Sequence, residues 1–224
     1  HDAPGSGALY RVGSFDGHAF TPVGHWQVLD HGRDFYAAIA WNGPRDDLGR
    51  FAWIGWMGNH AYQPHLPRKG WRGVMSLPRR MGLRECNNEL LLAQTVEPSV
   101  CNLFTDPEEV TADEMTVPVS CRIDLAADFH GQLRLDDGGN SCFTVIADDQ
   151  CWQLLRDDTA LPFLNARSGL QRSDGGLTLW IDSETIEAIS LDGTQCGGFQ
   201  HRPACEVLTL ATDCPECVSV ARLR

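Results

Sequence analysis

The chain has 224 residues, 42% of them hydrophobic and 21% charged, with a formal net charge of −12. That length allows one large domain or two small ones, and no run of 18 apolar residues occurs, so no membrane span or membrane partner is expected. Residues 1–92 carry 10 Lys and Arg against 8 Asp and Glu, the remainder 8 against 22; this shift predicts two domains, 1–92 and 93–224, and the acidic half argues against nucleic-acid binding, which needs basic surface to replace phosphate counterions.

The chain opens on His1-Asp2-Ala3-Pro4-Gly5, which reads as loop. It has no initiator Met and no basic-then-apolar leader, as expected of a fragment or a processed chain, so the compartment is not legible. Helical periodicity is nearly absent and strand signals are frequent. Leu9–Ser14 and Ala19–Val23 flank Phe15-Asp16-Gly17 and predict a hairpin. Phe35–Trp41, Phe51–Met57, Val74–Leu77 and Leu90–Gln94 follow. Turn signals separate them at Asn42-Gly43-Pro44, Asp46-Asp47-Leu48-Gly49, Pro67-Arg68-Lys69-Gly70 and Asn87-Asn88. Four antiparallel strands so connected make one propeller blade.

Beyond Val96 the strands become short and evenly punctuated: Met115–Leu125, Gly131–Leu135, Ser141–Ala147, Gln150–Leu155, Leu177–Ile181, Thr185–Leu191 and Glu206–Ala211. Asp-Gly and Gly-Gly turns part them, the pattern of an all-β sandwich. All nine Cys lie between Cys86 and Cys217. An odd count leaves at least one thiol unpaired within the chain. Cys214-Pro215-Glu216-Cys217 is a lone CxxC that suits free thiols, a disulfide or part of a metal site. No cofactor is expected. His18, His25 and His31 have no strand geometry that brings them to a common metal.

Three motifs in fixed order carry a resemblance. Leu29-Asp30-His31-Gly32-Arg33-Asp34-Phe35-Tyr36-Ala37-Ala38 is similar to a D-x-G-x-DFYAAQ stretch, Ile54-Gly55-Trp56-Met57 to an IGWM strand, and Trp71-Arg72-Gly73-Val74-Met75-Ser76-Leu77-Pro78-Arg79 to WRGxMTLPRE. Together they resemble the fifth propeller blade of glycoside hydrolase family 32, the invertases, levanases and exo-inulinases. Leu179-Trp180-Ile181-Asp182 and Ile186-Glu187-Ala188-Ile189, ending in Asp192-Gly193, resemble a hairpin of that family's C-terminal sandwich. The resemblance implies the last blade of a five-bladed propeller followed by a sandwich. It implies retaining hydrolysis of terminal β-fructofuranosides, with sucrose, levan or inulin as substrate. Retention needs a nucleophilic and an acid carboxylate roughly 5–5.5 Å apart, and the family adds a third that holds fructose hydroxyls.

Those three carboxylates stand upstream of DFYAA in the family and are expected to be absent from this chain. Trp41-Asn42-Gly43-Pro44 lacks the Asp of the nucleophile motif, Arg45-Asp46-Asp47 and Arg156-Asp157-Asp158 lack the Pro of the RDP motif, and Glu85-Cys86 spells the acid motif but falls at the last hairpin of the blade. The chain alone is therefore expected to be inactive, its partners being the N-terminal blades and a fructoside. By resemblance the substrate contacts carry over to Tyr36, Asp34 and His60, where the family has Trp at the position of His60. Strand alternation places Phe35 and Ala37 against neighbouring blades and Tyr36 opposite. Trp53, Trp56 and Trp71 are expected in inter-blade packing. Arg80 stands where the family has Glu, and Ile39 where Gln is common. Two rival readings remain: a non-catalytic carbohydrate-binding or interface module, and a degenerate family member that has lost activity.

Overall fold

A computed structural model describes residues 6–224, apart from 42, 44, 48, 68, 69, 71, 72 and 174. The chain is all-β. Its first six strands are β1 (Leu9–Phe15), β2 (Phe20–Val28), β3 (Tyr36–Ala40), β4 (Ala52–Trp56), β5 (Arg79–Cys86) and β6 (Glu89–Val96). β1 and β2 form a hairpin, and β3 to β6 form a four-stranded antiparallel sheet in chain order. The first hairpin turns where the sequence places it. The Asp16 carboxylate accepts the amides of His18 and Ala19 at 2.8 and 2.7 Å, and Gly17 takes the left-handed backbone that glycine tolerates. Asn87 and Asn88 both have positive φ, 51° and 64°, the geometry a two-residue hairpin requires between β5 and β6.

The third strand of this sheet departs from expectation. Val74–Leu77 contributes only an isolated bridge, Met75 to Trp56, and the regular strand starts at Arg79. Two ladder bonds flank that bridge, Met57 N–H to the Val74 carbonyl and Ser76 N–H to the Gly55 carbonyl, both 2.8 Å. The pairing stops there because the Gly55 amide donates to the Ser76 hydroxyl at 3.0 Å, and that hydroxyl donates to the Leu77 carbonyl.

Twelve further strands build two six-stranded sheets. They are β7 (Glu108–Glu109), β8 (Glu114–Pro118), β9 (Cys121–Leu125), β10 (Gly131–Asp136), β11 (Ser141–Ala147), β12 (Cys151–Asp158), β13 (Ala166–Gln171), β14 (Leu177–Ile181), β15 (Thr185–Ser190), β16 (Cys196–Gln200), β17 (Val207–Thr212) and β18 (Val218–Arg222). One sheet runs β13-β12-β11-β10-β17-β8, the other β16-β15-β14-β9-β18-β7. Leu133, Leu135, Phe143 and Trp152 of the first meet Ile123, Leu125, Leu179 and Phe199 of the second in one buried cluster. In β9 and β10 every second residue is buried and the next faces outward, the period-two signature of a sheet with one dry face. Met115–Leu125, read from sequence as one strand, is two strands in different sheets. The chain changes sheet after Pro118, which cannot extend a ladder through its nitrogen. The sequence pattern does not predict β7, β13, β16 or β18; β7 has only two residues, and β16 carries two adjacent glycines.

β15 and β16 are buried at every position, so both faces are covered. The second cover is the N-terminal part. Residues 31–34 run along the free edge of β16, with His31 N–H donating to the Cys196 carbonyl at 2.7 Å and Asp34 N–H to the Gly198 carbonyl at 3.0 Å. A sheet edge closed this way offers no template for another chain. Gly32 permits the approach, because a Cβ there would stand 2.1 Å from the Gly198 backbone.

Candidate functional site

The resemblance points to the ends of β3 and β4. The two strands pair Tyr36 with Trp56, then lose register before Ile39 pairs with Ile54. The extra residue is a bulge at Ala37, whose φ is +49°. The bulge reverses the alternation expected from sequence: Ala38, not Ala37, joins Phe35 against Leu29, Trp53 and Met57, and Ala37 is exposed. A non-glycine residue at positive φ inside a strand is strained and marks a place where the fold re-aims a side chain.

Tyr36 stands just before the bulge, paired with Trp56 and on the side opposite Phe35 that alternation predicts. Its ring stands 6.4 Å from Trp56 and 5.4 Å from His60, and Trp56 and His60 are 5.0 Å apart, so three rings form one cluster. Tyr36 and Trp56 are half-buried and His60 is exposed. Gly58 lets the chain turn tightly over this cluster, since a Cβ there would meet the Trp56 ring at 2.4 Å. Asn59 then ties the loop. Fully buried, it donates to the Arg33 carbonyl at 3.0 Å, and its side-chain oxygen accepts the Ala61 amide at 2.9 Å. The His60 amide donates to Ser6 Oγ at 2.9 Å. Tyr36 also borders a groove of about 600 Å³ lined by Tyr10, Leu29, Ala38, Trp53 and Leu92.

Asp34 lies elsewhere. It is 0% exposed, its Oδ2 accepts Arg156 Nη1 at 2.8 Å and the Gln200 amide at 2.7 Å, and it sits between the blade sheet and the sandwich. Burial raises the Asp34 carboxyl and lowers the Arg156 guanidinium from their ordinary values, so each needs the other to stay charged. This placement gives Asp34 an interface role; no sugar could reach its carboxylate here. Structure thus brings Tyr36 and His60 together and sets Asp34 apart.

Sequence reasoning quoted Asp30, Arg79 and Glu187 only as motif letters. Arg79 is fully buried and donates to Glu187 Oε2 at 2.6 and 3.0 Å, to Asp30 Oδ2 at 3.1 Å and to Gln94 Oε1 at 3.0 Å, while its guanidinium lies 4.4 Å from the centre of the Phe35 ring. Burial opposes its charge, but the carboxylates of Glu187 and Asp30 outweigh burial and hold the guanidinium protonated. Asp30 also accepts the Gly198 amide at 2.7 Å. One cation therefore joins the loop before β3, the start of β5 and the sandwich strand β15.

Other expectations resolve individually. Trp53 is buried against Phe35 at 6.0 Å, Trp56 belongs to the ring cluster, and Trp71 lies outside the described residues. Arg80 ion-pairs with Glu97 and donates to the Arg50 carbonyl. Ile39 is 69% exposed. Glu85 is exposed at the end of β5, next to the Asn87–Asn88 turn. All nine cysteines are free thiols in this structure.

Residues 3–94 match the family model described as glycosyl hydrolases family 32 N-terminal domain. A levanase of Bacillus subtilis (strain 168) is 38% identical over 85% of this chain, and an extracellular exo-inulinase of Aspergillus niger is 39% identical over 54% of it. The chain belongs to glycoside hydrolase family 32. It spans 33% of the length of that levanase and 26% of that exo-inulinase. Among solved family 32 structures, exo-inulinase from Aspergillus awamori superposes with a TM-score of 0.77 at 23% identity, covering 99% of this chain and 51% of its own. A Bombyx mori family 32 beta-fructofuranosidase superposes with a TM-score of 0.71 at 19% identity, covering 97% and 47%. At such identities the superpositions speak for the fold, the propeller-plus-sandwich arrangement of family 32. Among the described residues no helix is long and apolar enough to cross a membrane.

Proposed function

We propose that this chain is the C-terminal part of a β-fructofuranosidase, with residues 1–92 ending a five-bladed propeller and residues 93–224 forming the sandwich behind it. The observation that carries this reading is where apolar surface is left open. Of the fourteen large hydrophobic side chains exposed among the described residues, ten precede residue 93 (Leu9, Phe15, Phe20, Val23, Trp26, Ile39, Trp41, Met75, Leu83 and Leu90), and only Leu103, Leu191, Val207 and Leu223 belong to the longer remainder. A self-sufficient module buries such faces; a blade exposes them to its neighbours. The same observation weighs against a stand-alone carbohydrate-binding module.

In this reading the upstream blades bring the nucleophile, the acid and the third carboxylate, and the reaction is hydrolysis of a terminal β-fructofuranoside with retained configuration. This chain contributes one wall of the fructose pocket, where the Tyr36 hydroxyl offers a hydrogen bond and the Tyr36, Trp56 and His60 rings offer apolar surface. The levanase and exo-inulinase names of its relatives, and the Bombyx mori enzyme solved in complex with sucrose, support a fructoside as substrate. The purified 224-residue chain should release no fructose from sucrose, levan or inulin, and hydrolysis should appear when the upstream propeller segment is joined to it. Hydrolysis with retained configuration by this chain alone would overturn the proposal.

A further inference from the structure

The CxxC motif takes a definite shape in the link between β17 and β18. Pro215–Cys217 is a single turn of 3-10 helix, preceded by Cys214, and the Cys217 amide donates to the Cys214 carbonyl at 3.2 Å. Three residues per turn put positions i and i+3 on one face, so the two thiols stand side by side. Both are half-buried with their side chains against the sandwich core, while Glu216 faces solvent beside them. The sulfurs of Cys214 and Cys217 and a carboxylate oxygen of Glu216 all lie within 4.8 Å of one another, and no other three His, Cys, Asp or Glu side chains among the described residues converge this way. The donors already share protons. The Cys214 thiol donates to Glu216 Oε1 at 3.6 Å.

We propose that Cys214, Glu216 and Cys217 form a site for a soft divalent cation of the zinc type, with the fourth position left to solvent. Thiolate pairs with a carboxylate are zinc donors, at about 2.3 Å for sulfur and about 2.0–2.2 Å for oxygen. Tetrahedral bonds of those lengths space the donors about 3.6–3.8 Å apart, and Cys214 Sγ and Glu216 Oε1 already stand 3.6 Å apart, so binding needs no movement of the strands. As each metal–sulfur bond forms, one thiol proton leaves to solvent; the cation replaces two protons and the net charge of the site is unchanged. Because each thiol must shed its proton to bind the cation, affinity rises as pH rises. The bound ion would pin the link at which the chain leaves one sandwich sheet for the other. That role is structural and independent of the proposed hydrolase activity.

The test is titration of the reduced 224-residue chain with Cd(II), read by its ultraviolet thiolate-to-metal charge-transfer band. One equivalent should saturate the band. Cys214→Ser and Cys217→Ser should each weaken binding by more than about tenfold, since a direct donor matters at least as much as the outer-shell partners whose loss has that effect. Cys86→Ser should bind normally, and excess Zn(II) should displace Cd(II) and raise the melting temperature. If the serine variants do not fold, Glu216→Gln decides: with both thiols intact it should still bind more weakly, and unchanged affinity overturns the three-donor site. Absence of the band, its persistence in the double serine variant, or a Cys214–Cys217 disulfide mapped in chain purified without reductant would also overturn the proposal.

Discussion

Tyr36 and His60 reach one another, 5.4 Å between ring centres, because Tyr36 pairs with Trp56 and the chain turns back over Trp56 at Gly58. In a complete enzyme, Tyr36→Phe should lower kcat/KM by roughly 2- to 20-fold, the cost of one lost polar contact of about 0.5–1.5 kcal/mol. His60→Trp should tighten fructoside binding by extending the aromatic surface. Steady-state kinetics on sucrose check both, and unchanged values for both would remove the pair from the pocket. Arg79 supports a different expectation. Arg79→Met leaves the buried carboxylates of Asp30 and Glu187 without their cation, and breaking such a pair costs about 3–5 kcal/mol. The midpoint of urea unfolding should fall accordingly, and adding Glu187→Gln should recover part of the loss. His201 makes stability depend on pH. It is fully buried, and burial, aided by the nearby Arg156 charge, lowers it from 6.5 to about 4. Between those values the unfolded chain binds a proton that the folded chain refuses, so its contribution is complete above pH 6.5 and is lost as pH falls toward 4. The loss amounts to at most ~3 kcal/mol. Unfolding midpoints measured across that window should show the slope, and His201→Gln should flatten it.

At the scale of elements, the two sheets of the sandwich share one buried cluster of their own, whereas β3 to β6 bury a smaller cluster on one face and leave large apolar side chains open. Residues 93–224 should therefore fold when expressed alone, and residues 1–92 should not. Limited proteolysis of the whole chain should leave a stable C-terminal fragment; a surviving 1–92 remnant with early loss of the sandwich would contradict this. The same elements show what a sequence conveys. Strong alternation in β9 and β10, and the Asn87-Asn88 turn, were legible because local chemistry sets them. Val74–Leu77 pairs with β4 only around Met75, because the Ser76 hydroxyl takes the next backbone amide, a diversion that local pattern does not announce. β8 and β9 were fused because nothing in a hydrophobic run announces a change of sheet. The bulge at Ala37 escaped notice because alanine carries no signal for positive φ.

The molecule as a whole is held by contacts between residues far apart in sequence. Asp30 and Glu187 meet on one guanidinium, Asp34 meets Arg156, and Gly32 lies against the Gly198 backbone. The sequence by itself determined the family and the all-β class, because motif letters, alternation and turn residues are local and survive in one dimension. It also singled out Tyr36 and His60, whose rings the fold brings to 5.4 Å apart. Tertiary structure decided what several of those letters do. Asp34 looked like a sugar contact and is a buried ion-pair partner; Arg79 and Glu187 looked like motif ends and are two parts of one lock. The physical reason is that a charged group's role depends on which charge shares its burial. Glu187 stands 108 positions from Arg79, where no local pattern can announce it.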